Sequence, residues 1–194
     1  KENDDGRIWQ YFEKGLVISP SQTDAWIVRN GKINDTWKKF GGSLGQLGKP
    51  TSNQTTEPDG RIWQMFEKGV VIQKNASSDA YAVLNGPINN RWRDLGGSTG
   101  ALGKPVSDPV TEQDGRVWQY FEEGLLIWSQ ATGAWEIQGG FHSFWKEKGG
   151  SNGQLGKPTS ARTIQGTPDN YRWQNFEKAR VIWRDTNGWE VIKF

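Results

Sequence analysis

An aspartate, an arginine and a tryptophan recur along this chain at one fixed spacing, and together they could grip a polar ring. The runs are Asp5-Gly6-Arg7-Ile8-Trp9, Asp59-Gly60-Arg61-Ile62-Trp63 and Asp114-Gly115-Arg116-Val117-Trp118. Side chains two apart on a strand share a face, so the three residues of each run would form one strip. An indole can stack on the C–H face of a sugar ring while a carboxylate and a guanidinium hydrogen-bond its hydroxyls. The plainer alternative is that Asp-Gly makes a turn, Arg pairs locally with Asp, and Trp packs against a neighbouring element. Both readings stand at this level. A second aromatic set, Trp26, Tyr81, Trp135 and Trp189, follows a small residue each time, and alternation does not settle which way it faces.

Catalytic chemistry finds less support. His142 is the one histidine, and its counterparts Asn34 and Asn89 are plain polar residues. With no cysteine, disulfides, thiolate zinc sites and a Cys nucleophile are excluded. No nucleophile elbow, metal-ligand spacing or phosphate-cradling glycine loop occurs. Glu13, Glu67, Glu122 and Glu177 stand once in every copy, whereas a glycosidase needs an asymmetric pair. These glutamates are expected to be structural, or a repeated contact. A balance of 24 basic and 22 acidic residues gives no footprint for nucleic acid. No apolar run approaches the roughly 20 residues that span a bilayer. The expectation is therefore no enzyme, no cofactor, no metal, no nucleic acid and no membrane insertion.

The strips are positioned by a repeat. Asp5 to Glu13 reads DGRIWQYFE, and its echoes are DGRIWQMFE at 59–67, DGRVWQYFE at 114–122 and DNYRWQNFE at 169–177. Two further landmarks follow in order: Trp37 to Gly42, with Trp92 to Gly97 and Trp145 to Gly150, then Leu47-Gly48-Lys49-Pro50, with 102–105 and 155–158. The period of about 55 residues gives units of 1–50, 51–105, 106–158 and 159–194 within one repeat domain. Period-2 alternation predicts a strand at 7–13, a turn, a return strand at 16–19 and a third strand at 25–29. Ile8, Gln10 and Phe12 would face the core. Ile33, Trp37 and Phe40 fall on one face of a two-turn helix ended by Gly-Gly, so Trp37, Trp92 and Trp145 are core candidates. Gly15, Gly69 and Gly124 are expected at positive φ, with Ala179 turning differently. The fold expected is mainly β with short helices, four repeats closing a pseudo-fourfold, propeller-like ring.

Taken together, the tryptophan helix, the Gly-Gly step, the Leu-Gly-x-Pro corner and the Gly-Arg strand resemble the LGFP repeat family over nearly the whole chain. The third corner position is Lys49, Lys104 or Lys157 here, where that family usually carries an aromatic. The resemblance implies an exported or surface-attached, actinobacterial-type module, often fused to or associated with a cell-envelope enzyme and thought to engage cell-wall polysaccharide. The expected function is a secreted or cell-surface, multivalent carbohydrate-binding module. The alternative is a protein-interaction scaffold using the same aromatic strips. In the fourth copy Arg172 stands one place along from the other arginines, so its side chain should cross to the opposite face.

Overall fold

The computed structural model describes residues 8–19, 24–166 and 170–194. Asp5 and Arg7 lie outside the described residues. The alternating stretches form antiparallel meanders in four separate sheets. The first sheet is Ile8–Phe12, Gly15–Ser19 and Trp26–Arg29. The second is Thr55–Thr56, Ile62–Phe66, Gly69–Gln73 and Ala80–Leu84. The third is Val110–Thr111, Val117–Phe121, Gly124–Ser129 and Gly133–Gln138. The fourth is Thr163–Gln165, Tyr171–Asn175, Ala179–Arg184 and Gly188–Lys193. Three short helices follow the first three sheets: α1 (Lys32–Lys39), α2 (Pro87–Asp94) and α3 (Gly139–Glu147). Among the described residues the chain is thus mainly β with short helices, and no sheet closes on itself.

The chain divides into two compact units, residues 1–89 with 104–108, and residues 90–103 with 109–194. In the first, Ile33 and Trp37 of α1 bury one helical stripe against Leu16, Ile18, Val28 and Phe66. In the second, Phe141 and Trp145 of α3 do the same against Leu125, Ile127, Ile137 and Phe176. Helix α1 ends where Gly41 and Gly42 take φ of +87° and +62°, a left-handed step that costs glycine nothing. A single 3₁₀ turn, Gly42–Leu44, follows.

The corner is the device that ties the landmarks together. Leu47, Leu102 and Leu155 are fully buried. The indole N–H of Trp37, Trp92 and Trp145 donates to the carbonyl of Gly48, Gly103 and Gly156, at 2.9, 3.0 and 2.8 Å. Those three glycines have φ near +74°, +71° and +76°. A Cβ on them would meet Glu67, Glu122 or Glu177 at 2.5–2.6 Å. Glu67 and Glu177 accept the backbone N–H of Lys49 and Lys157, at 2.9 and 2.8 Å. The repeated glutamates are thus clasps on the corner. Pro50 and Pro158 bridge to the strand-end Phe66 and Phe176.

Two expectations change. Only Gly15 of the three hairpin glycines has positive φ, at +155°; Gly69 and Gly124 do not. Their real constraint is close approach, since a Cβ would lie 2.6 Å from Val83 O and 2.4 Å from Ile137 O across the next strand. The face of Ile8, Gln10 and Phe12 is exposed in the first copy, against expectation, whereas Gln64, Gln119 and Gln174 are fully buried, and Gln64 and Gln174 join neighbouring sheets. Gln64 Nε2 donates to Ile27 O of the preceding sheet and to Ser52 O, at 3.0 and 2.8 Å. Gln174 repeats this on Glu136 O and Ser160 O, at 2.7 and 2.9 Å.

Candidate ligand clefts

Strand register settles the facing of both aromatic sets. Trp9 pairs with Ile18 and Ile18 with Trp26; Trp63–Ile72–Tyr81 and Trp118–Ile127–Trp135 repeat the pattern. Directly opposed residues share a face, and in the first and third copies the hairpin tryptophan looks toward the helix of its own copy, Trp9 toward Trp37 and Trp118 toward Trp145. There it borders a cleft. In the first copy Trp9, Tyr11, Leu16, Ile18 and Trp37 meet the Gly41–Leu44 turn around about 440 Å³. In the third, Trp118, Tyr120, Leu125, Ile127 and Trp145 meet Gly149, Ser151 and Asn152 around about 200 Å³. The same frame thus carries an aromatic wall twice.

The rims differ in polarity. The third cleft adds Glu112, Arg116 and Asn152. Glu112 accepts the Trp118 indole N–H at 2.7 Å, which fixes the ring in its plane. Glu57 holds Trp63 in the same way at 2.7 Å. Arg116 Nη1 donates to Asn152 Oδ1 at 3.2 Å, tying the hairpin to the turn after α3. Tyr120 packs edge-on to Trp118 with 5.4 Å between centroids. His142 lies edge-on to Tyr120 and stacks against Trp145, at 5.7 and 6.2 Å. Burial, and then the charge of Lys146, hold its imidazole below the ordinary pKa.

The expected Asp/Arg/Trp strips are divided by the fold. Asp59 and Asp114 sit in the turns and accept the backbone N–H of Arg61 and Arg116, both at 3.1 Å. The Arg61 N–H, and then the Arg61 and Lys104 charges, keep Asp59 below the usual carboxylate range. Arg61 and Arg116 are tucked in, with side chains 14% and 10% exposed. Asp59 and Asp114 are exposed, whereas Trp63 and Trp118 are partly buried. Of the second set, Trp135 lies under the Arg91 guanidinium at 5.1 Å and donates to Thr132 O at 2.6 Å. Arg91 in turn pairs with the buried Glu136 at 2.8 and 3.0 Å. Trp26 and Tyr81 are partly buried and border neither cleft. Glu57, Glu112 and Asn152 were missed in the sequence, although a glutamate two places before Asp-Gly in both inner copies was a visible signal.

The fourth copy departs from this frame. Arg180 stands where Leu125 stands in the third copy and covers Trp173 at 4.2 Å, held by Asn175 Oδ1 at 2.8 Å. Arg172 pairs across to Trp183, on the face opposite Trp173, as its shift along the strand predicted. Trp189 is displaced too. It opposes Trp183, whereas Glu190 takes the place opposite Ile182 that corresponds to Trp135.

Repeated meanders joined by a tryptophan helix and a Leu-Gly-x-Pro corner define a tandem β-repeat protein. The chain belongs to the LGFP repeat family, whose model matches residues 47–100 and 102–153, together more than half of the chain. The match gives two repeats rather than the four expected, and each begins at the corner and ends after the helix. No curated protein matches the sequence. Among solved structures, the chain is similar to extracellular domains assigned to a hybrid two-component system and to a one-component system of B. thetaiotaomicron. Each is 13% identical with a TM-score of 0.22; all of this chain is covered, and 22% and 23% of those chains. A streptogramin B lyase is 11% identical with a TM-score of 0.18, all of this chain covering 53% of that one. The chain spans about half or less of these structures. At such scores none of them informs its fold.

Proposed function

We propose that this chain is a non-catalytic, multivalent carbohydrate-binding module for a secreted or surface-exposed setting, with the Trp9 and Trp118 clefts as its sites. The observation that carries the reading is the recurrence of one cleft on one frame. An indole and a tyrosine form a wall in both, beside backbone turns and, in the third copy, a rim of Glu112, Arg116 and Asn152. An aromatic wall with hydrogen-bonding groups at its edge suits a pyranose or furanose ring. Weak single sites gain avidity when several engage one polymer. Family membership supports cell-wall or cell-surface polysaccharide as the ligand.

The test is a pull-down on purified envelope polysaccharide fractions with free sugar as competitor. Trp9→Ala with Trp118→Ala should weaken retention by about tenfold or more for each site lost, about 1.4 kcal/mol per site, while the protein stays folded. Retention equal to wild type in the folded double variant contradicts the proposal. So does binding that persists on a protein surface and ignores sugar.

A further inference from the structure

A third pocket lies on the opposite face of the fourth sheet, away from any hairpin-tryptophan cleft. Arg162, Arg172, Trp183, Trp189, Phe141 and Gly140 enclose about 390 Å³. Its residues are where the repeat is broken. Arg172, Trp183 and Trp189 oppose one another across three strands. The corresponding trio is Val117–Trp128–Ala134 in the third sheet and Ile62–Gln73–Ala80 in the second. An aliphatic position has become arginine and an alanine has become tryptophan. Trp189 then lies over α3, stacked on Phe144 at 4.6 Å and edge-on to Phe141 at 5.0 Å. Gly140 makes room for it, since a Cβ there would come within 3.3 Å of the indole. Its counterparts in the first two copies are Lys32 and Pro87.

Frame residues repeat because the frame needs them. Trp183 and Trp189 also pack against the core of the second unit, and with Arg172 they converge on one cavity. We infer that this pocket is a separate binding site for a sugar residue carrying a carboxylate. Two guanidiniums supply forked donors that match a carboxylate, and the Trp183–Trp189 pair, inclined at 56° with 4.8 Å between centroids, supplies an aromatic corner against which the ring can pack. Asp185 stands at the rim. It accepts the Trp183 indole N–H at 3.2 Å and lies 3.8 Å from Arg172 Nη1. That pair is solvent-exposed, 46% and 60% by side chain, so a ligand carboxylate can displace it at little cost. The sugar identity of the ligand rests on the proposed function; the acidic group rests on this pocket alone.

The experiment is a titration of the full chain with glucuronate, glucose and acetate, followed by the Trp183 indole N–H signal in NMR. Glucuronate should shift that signal and bind at least tenfold more tightly than glucose or acetate. Arg162→Gln with Arg172→Gln should abolish the preference, and Asp185→Asn should strengthen glucuronate binding. Neutral polymer retention through Trp9 and Trp118 should be unchanged in the arginine variant. Equal binding of glucuronate and glucose, equal binding of acetate, or an unchanged preference in the folded arginine variant overturns the inference. Each of these outcomes leaves the Trp9 and Trp118 clefts untouched, whereas loss of polymer binding there with the glucuronate preference intact overturns only the proposed function.

Discussion

The third and fourth hairpins share a backbone and use opposite faces. In the third, Trp118 borders an open cleft beneath Trp145 of α3. In the fourth, the matching Trp173 is covered by Arg180, and the cavity opens on the other side around Arg172 and Trp189. Yet the frame is the same in both: Leu102 and Leu155 are buried, Glu122 and Glu177 crowd the corner glycine, and Gln119 and Gln174 are fully buried. The corner holds the fold in both, and the residues around each hairpin decide which face carries a cavity.

The sharpest way to break that division is to remove one tryptophan of each kind. Trp145 is buried and holds Gly156 O. Trp145→Ala should cost about 3–5 kcal/mol through its cavity and orphaned carbonyl. Trp118 is only partly buried, so Trp118→Ala should lower the melting temperature far less while weakening polymer binding. Thermal melts of the two variants check this, and equal losses of stability would erase the distinction.

A smaller effect comes from His142, which sits beside Tyr120 where the first two copies carry asparagine. Its pKa is depressed by burial, then by Lys146. The fold therefore binds this proton less readily than the unfolded chain does. Its stability contribution is full above the ordinary value of about 6.5 and is lost as pH falls from there through the lower folded value. His142→Asn should flatten the fall in melting temperature between about pH 7 and pH 5. A wild-type and a variant curve of the same slope would contradict the buried, neutral ring.

The strands, the helix stripe and the corner were legible because each rests on local rules: alternation, i to i+4 spacing, and Gly and Pro at fixed places. The crossing of Arg172 to the other face was legible for the same reason, as a shift of one in a period of two. The facing of Trp26, Tyr81 and Trp135 was not, because it depends on which residue each opposes across two strands. Trp189 misled for that reason. It follows a small residue as Trp135 does, yet lands opposite Trp183. Gly69 and Gly124 were recognised as constrained, but the constraint is the Val83 and Ile137 carbonyls across the sheet rather than a local turn. Glu57 and Glu112 escaped because their partner, an indole six residues on, is reached only once the short outer strand folds back.

The twelve tryptophans can themselves report which indoles meet a ligand. Their indole N–H signals, assigned by single Trp→Phe variants, can be followed while a neutral envelope polysaccharide fragment is added. Trp9 and Trp118 should shift, while Trp37, Trp92 and Trp145, fixed on the corner carbonyls, hold their positions. Shifts confined to the corner tryptophans, with Trp9 and Trp118 silent, would contradict the two clefts as the binding sites.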